Sequence, residues 1–287
     1  MLKHFTILLF VFIGVSTFAQ TDTSVHTKKI KPVPPWWVER FHVSAGVFVP
    51  INNTVVEVGN ESGTFGTTID FENDLGFNQA TTTFLGGVEW RASRRSKFEL
   101  SYFHLSREST HTLQKEIEFK DSIYPVNATT NSFFRTDIFK FSYGYAFFLN
   151  PRYEVGLAIG AHIAKINAGM GIEGSTGSVS AATDFDFTAP LPDLGVWGGY
   201  AINKRWAVNG AFNYLSLTVG DIRGRILSYN ASVTYSIVKN LSATLGYTGL
   251  NFRVDVTKDH FKGFFKWGYN GPALTANYAF GRNKWHQ

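Results

Sequence analysis

The sequence predicts an all-β fold, a closed antiparallel transmembrane β-barrel of ten strands with short periplasmic turns and long extracellular loops. Three observations predict it. Large apolar side chains recur at every second position through ten segments, the period of a strand with two unlike faces. The positions between them are small or polar. The connections alternate between short and long along the chain.

Composition narrows the alternatives. The 287 residues include 27 Phe, 12 Tyr and 7 Trp, so aromatics reach 16% while charged residues are only 17%, against roughly 25% in an ordinary soluble domain. There is no cysteine, which excludes a disulfide framework, a thiolate metal site, an iron–sulfur cluster and a cysteine nucleophile. Mean hydropathy just below zero excludes a bundle of transmembrane helices. The formal charge of +5 is spread along the chain. It suits anionic lipid headgroups and gives no sign of nucleic acid.

The N-terminus is read first. Lys3 and His4 precede an apolar run at residues 5–19, which is 15 residues long, where a spanning helix needs about 20. Thr17 and Ala19 form a small-residue processing site. Residues 1–19 are therefore expected to be a cleaved signal peptide, the alternative being an uncleaved anchor. Residues 20–37 are polar and then proline-rich, and read as a flexible periplasmic lead-in ending on Trp36 and Trp37. The barrel is expected over 38–281 and a short tail over 282–287.

Along the barrel the bulky face is Phe41, Val43, Ala45, Val47 and Val49, then Phe84, Val88 and Trp90, with Phe48 and Leu85 on the wrong parity. Phe98, Leu100 and Tyr102 follow, then Phe139 to Phe147 and Tyr153 to Ile163, each at alternate positions. Leu194 to Ile202, Trp206 to Tyr214, Tyr229 to Ile237, Leu241 to Tyr247 and Leu274 to Phe280 complete the ten. The opposing face is rich in Gly, Ala, Ser, Thr and Asn. Such a bulky face cannot be the core of a soluble sandwich, so its solvent is hydrocarbon. In lipid every backbone N–H and C=O needs a partner, and the sheet must close.

Connections 91–96, 148–152, 203–204 and 238–240 are short. Those near 51–78, 120–131, 169–189, 218–225 and 257–263 are mostly longer. The short set belongs in the periplasm, and an even strand count returns both termini there. Residues 52–58, 65–71, 110–119 and 131–137 can add strand above the membrane, and eight spanning strands remain possible. Gly271-Pro272 breaks the last segment, where a bulge is expected.

Four blocks carry a family resemblance: FENDLGF (71–77), RRSKFELSYFHLSR (94–107), APLPDLGVWGGY (189–200) and GDIRGRILSYNASVTYSIVKNLSATLGYTGL (220–250). Over roughly residues 40–280 the chain resembles a family of Gram-negative outer-membrane barrels of unassigned activity. The resemblance implies fold and location and no reaction. Such barrels usually end on an aromatic residue. Phe280 fits that role, although GRNKWHQ follows it.

Candidate chemistry lies in three places. A turn centred near Arg94 sets Glu89 opposite Glu99 and Arg91 opposite Lys97, with Glu89–Lys97 and Arg91–Glu99 as diagonals. Lys140 and Glu154 share this inward parity. The six form a salt-bridge plug of a narrow lumen, or a gate or ion site. His104 and Ser106 share the lipid-facing parity, as an H-x-S pair that resembles the spacing in outer-membrane lipid A deacylases. A hydroxyl nucleophile needs such an adjacent base. Arg107 and Glu108 depart from that family's pattern, and a simple interfacial His and Ser is the alternative. Asp70, Glu72 and Asp74 alternate in the first long loop. They can offer hard oxygens to Ca²⁺ or stand as a solvated acidic loop, since no EF-hand spacing surrounds them. His42 and His162 are expected to pack in the lumen, and Lys115, Glu116 and Glu118 to extend the third strand. No Gly-rich phosphate loop, HExxH, GxSxG or zinc pattern is present.

The expected function is a non-enzymatic outer-membrane barrel with a structural, adhesive or minor conduit role. The alternative is a lipid A-modifying acyl hydrolase using His104 and Ser106. A rim protease finds no convincing residue pairing. No cofactor and no metal are expected. The expected partners are outer-membrane lipids including lipopolysaccharide, and the barrel-insertion machinery during assembly. No soluble ligand can be named.

Overall fold

The computed structural model describes residues 32–58, 67–119, 122–173, 179–258 and 261–281. The expected signal peptide, residues 20–31 of the lead-in and the tail 282–287 lie outside these. Fourteen strands occur among the described residues, taken in chain order. They are β1 (Phe41–Phe48), β2 (Ile51–Val58), β3 (Ile69–Asp70), β4 (Thr83–Arg91), β5 (Ser96–Thr112), β6 (Ile117–Phe119) and β7 (Ser122–Tyr124). Then come β8 (Thr129–Leu149), β9 (Tyr153–Glu173), β10 (Val179–Ala201), β11 (Trp206–Val219), β12 (Ile222–Val238), β13 (Leu241–Lys258) and β14 (Phe261–Phe280).

Ten of them form one antiparallel ring in the order β1-β4-β5-β8-β9-β10-β11-β12-β13-β14, closed by β14 on β1. The closing register runs from Phe41 opposite Phe280 to Phe48 opposite Ala273. Closure leaves no unpaired edge in the apolar belt. The fold is a closed antiparallel transmembrane β-barrel.

The short turns are held by local side-chain chemistry. Ser93 Oγ accepts the backbone N–H groups of Arg95 and Ser96 at 3.2 and 3.0 Å. Asn150 Oδ1 accepts those of Arg152 and Tyr153 at 2.8 and 2.9 Å. Asn203 repeats the pattern on Arg205 and Trp206 at 2.8 and 2.9 Å. Asn240 takes a left-handed conformation at φ 69°. Asn and Ser tolerate these turns because their side chains replace a lost backbone partner.

The barrel has two tiers of opposite polarity. Toward the short turns, the outward face is apolar and exposed, as at Phe84, Phe141, Leu157, Leu194, Phe212 and Leu274. Rings gather at this belt's edges: Trp90 on Phe98, Trp206 on Tyr235 and Phe41 on Phe280, with centroids 5.3, 4.6 and 5.3 Å apart. Toward the long loops the parity holds but the chemistry inverts. Outward positions become His104, Glu108, Arg135, Asp137, Lys165 and Lys266. Inward positions become Phe103, Leu105, Phe134, Ile166, Phe252 and Trp267, all buried. These join one apolar core with Phe48, Leu250 and Phe265. Phe48 and Leu85, misplaced in the alternation, mark where this core begins.

The first long loop completes the core from within. FENDLGF leaves β3, and Phe71, Leu75 and Phe77 turn inward at 4%, 2% and 3% exposure. Phe71 stacks on Phe77 and meets Phe134 edge-on, at 5.4 and 6.0 Å. Ser109 donates to the Leu75 carbonyl at 2.7 Å. The segment thus packs against β5 as a cap.

Two expectations change here. No bulge separates β13 from β14 at Pro272, which pairs with Tyr247 in unbroken register. The interruption falls across the other edge of β14, where β1 stops and β2 takes over from Asn270 onward. Residues 32–37 are also not a free lead-in. Pro34, Pro35 and Val38 are buried, Arg94 donates to the Pro32 carbonyl at 3.1 Å, and Trp36 Nε1 donates to the Asn203 carbonyl at 3.0 Å. This strap lies across part of the short-turn mouth.

Candidate functional site

The inner tier encloses a cavity of about 600 Å³ that reaches the short-turn mouth. One wall is ionic. β4 and β5 set Glu89 opposite Glu99 and Arg91 opposite Lys97. Lys97 reaches Glu89 and Glu99 at 3.4 and 3.3 Å. Arg91 grips both oxygens of Glu154 at 2.8 Å each, and its Nε donates to Glu89 at 2.8 Å. The Arg91–Glu99 diagonal is replaced by this pair, because the narrow ring brings β9 within reach of β4 and offers a bidentate partner. Trp197 lies under the cluster, its ring centroid 4.0 Å from Lys97 Nζ and 5.6 Å from Arg91. Trp37, on the strap, donates to Glu154 at 3.1 Å. Buried charges persist only when paired in this way.

The facing wall is neutral. Asn209 donates to Thr234, Thr234 shares a hydrogen bond with Thr244, and Asn277 donates to Thr244, at 3.2, 2.9 and 2.9 Å. Asn213 donates to Ser228 at 3.1 Å. This ladder crosses β11 to β14 on the inward face. His162 and Asp193 form a buried pair at 2.7 Å above the ionic wall. His42 sits 3.7 Å from Glu89.

The acidic loop residues have separate partners. Glu72 is held by Arg107 at 2.5 Å and by the Thr54 backbone N–H at 2.7 Å. Arg107 also donates to Thr54 Oγ1 at 2.6 Å and lies between the rings of Phe77 and Phe134. Asp74 pairs with Lys115 at 2.7 Å, and Asp70 accepts from Asn73 at 2.9 Å. The three carboxylates do not converge, and no cluster able to hold a metal occurs among the described residues. Lys115, Glu116 and Glu118 do not extend β5, which ends at Thr112. Glu118 lies in the β6–β7 hairpin.

On the outer surface, just beyond the apolar belt, β5 and β8 build a polar patch. His104 pairs with Asp137 and Ser106 with Arg135 in register. His104 Nδ1 lies 3.0 Å from Asp137 Oδ1, and Tyr102 donates to the same oxygen at 2.7 Å. Arg135 pairs with Glu108 at 2.9 Å. Asp137 is the residue that sequence reasoning missed. Its signal, an acid on the outward parity of the next strand, becomes visible only once the register across the 113–128 connection is known.

No family model matches the sequence, and no curated protein matches it. Solved structures do. The chain is similar to the outer membrane protease OmpT from Escherichia coli at TM-score 0.55 and 11% identity, over 85% of this chain and 100% of that one. The likeness is one of fold. The translocator domain of the autotransporter NalP from Neisseria meningitidis follows at TM-score 0.46 and 8% identity, covering 85% and 89%. Ail, the attachment invasion locus protein of Yersinia pestis, gives 0.33 and 9%, covering 83% and 99%. These neighbours are outer-membrane β-barrels with unlike activities, and at such identities fold carries no function with it.

Proposed function

We propose that the chain is an exported, sealed barrel of a bacterial outer membrane. It acts through its long-loop tier in a structural or adhesive role and does not conduct. One observation carries this reading: the outer tier is filled by the apolar core, with Trp267, Phe134 and Leu105 at 0%, 0% and 1% exposure. An interior packed at such density leaves no water path. Lipopolysaccharide is the natural neighbour of the outward Arg135 and Lys165, whose cations suit phosphate-bearing headgroups. Purified protein in planar bilayers is expected to be electrically silent. Stepwise single-channel currents would overturn the sealed reading.

A second reading, a lipid acyl hydrolase, is favoured by Asp137. With it, the acid–base–hydroxyl order of a nucleophilic triad lies on one face at the belt's outer edge. Ser106 Oγ would attack an ester carbonyl as His104 takes its proton, and Asp137 would orient the imidazole. The ester C–O bond would break, the alcohol leaving with the proton from His104, and water, deprotonated by His104, would then hydrolyse the acyl-serine to release the fatty acid and restore Ser106. Mass spectra of lipid A after overexpression test it. Loss of an acyl chain with the native protein but not with Ser106→Ala supports the hydrolase, and unchanged acyl content rejects it.

A further inference from the structure

The inner-tier cavity has features that a filler of empty lumen does not need. Its volume, about 600 Å³, falls within the roughly 300–1,000 Å³ of small-ligand pockets. It is blind, because the apolar core and the FENDLGF cap close it toward the long loops. It opens toward the short turns, where Lys204, Lys239 and Asn240 line it. Its four short turns are basic, with Arg94 and Arg95, Arg152, Lys204 and Arg205, and Lys239, and Glu39 is the acid beside them.

Inside, most polar groups are already spent on one another. Two are not. Lys140 lines the cavity from β8 and has no ion-pair partner among the described residues, while the other two cations of the ionic wall are fully engaged. Asn230 lines it from β12, and its amide has no protein hydrogen bond among the described residues. Both are half-buried, and polar groups that face an enclosed space without a protein partner turn to water or to a ligand. The two flank a wall of hydroxyl and amide groups whose spare lone pairs face the same space.

We propose that this cavity is a binding site, entered from the periplasmic side, for a small polyhydroxylated ligand carrying one negative charge: an acidic sugar. Lys140 meets its carboxylate. Asn230 and the Asn209–Thr234–Thr244 ladder meet its hydroxyls, and the walls of Trp37 and Trp197 contribute apolar edges. Lys140 is the cation deepest in the cavity without an ion pair among the described residues, Lys204 and Lys239 lie at the mouth, and Glu89, Glu99 and Glu154 disfavour a second negative charge on the ligand. The basic rim steers an anion toward the mouth. The site is independent of the outward His104 patch and of the lipid reading.

The probe is glucuronate, added to the folded mature chain in detergent micelles and followed by tryptophan fluorescence and calorimetry, with glucose and sulfate as the neutral and bare-anion comparisons. Glucuronate is expected to saturate in the millimolar range or below and to bind more tightly than either. Lys140→Met should weaken glucuronate at least about tenfold and leave glucose unchanged, while Asn230→Leu should weaken both sugars. Lys165→Met, on the outer face, should change neither. Heat-dependent gel mobility establishes that each variant is folded, and Asn230→Leu carries the test if Lys140→Met is not. Absence of saturation by glucuronate overturns the proposal. So does an unchanged affinity in folded Lys140→Met, or sulfate or glucose binding as tightly as glucuronate.

Discussion

The two tiers share ten strands, one parity and one register, yet each is the other's chemical inverse. On β8, Phe139, Phe141 and Tyr143 face outward in the inner tier, opposite Lys140 and Ser142. A few residues earlier on the same strand, Arg135 and Asp137 face outward and Phe134 and Ile138 face in. Nothing in the backbone changes between them. The solvent changes, from acyl chains to water, and the side chains exchange places accordingly. The outer tier is in effect a water-soluble barrel standing on a membrane one. The difference teaches that a strand's face is apolar where its surroundings are, and that burial alone does not identify a core.

Substitutions can break this comparison, and they rank by size. The largest effect is expected at Arg107. Arg107→Met strands the buried Glu72 carboxylate under the cap and should cost about 3–5 kcal/mol, the usual penalty for breaking a buried pair. Urea unfolding in detergent reads it, and Glu72→Leu added to it should recover much of the loss. Next is Phe141→Arg, which places a cation in the apolar belt and should cost about 2–4 kcal/mol. The matched change on the outer tier, Thr110→Arg, also points outward but into water, and should stay within about 0.5 kcal/mol. Equal costs for the two would erase the distinction between the tiers. The smallest effect belongs to the inner wall. Ser142→Ala removes a 3.1 Å hydrogen bond to Glu99 and should cost about 0.5–1.5 kcal/mol by the same measurement.

Much of the inner tier was legible in the sequence because its two faces contact two fixed media. The alternation from Phe139 to Phe147, or from Trp206 to Tyr214, needs no tertiary partner to be read. The outer tier was less so. Its reversal of polarity keeps the same period, so Phe134 and Phe103 look like interruptions of a lipid-facing pattern when they are a core. The inward fold of Phe71 and Phe77 is set by long-range packing against Phe134 and Arg107, which local periodicity does not encode. The same holds at the sites. The Glu89–Glu99 register follows from the short connection 92–95. The grip of Arg91 on Glu154 and the approach of Asp137 to His104 depend on ring closure and on a longer connection, and neither is visible along one strand.

The double partnership of β14 has a consequence for how the molecule is made. Its Ala273–Phe280 half zips to β1 and its Ile51-facing half to β2, with Gly271 so close to the Val49 carbonyl that a side chain there would collide with it. Biogenesis must therefore keep the start of the polypeptide waiting, in two separate pieces, until its end arrives. Pairings so distant along the chain close slowly. The kinetic bottleneck of assembly is thus written at the seam, and a chaperone that shields β1 and β2 would serve this protein more than one that shields any later hairpin.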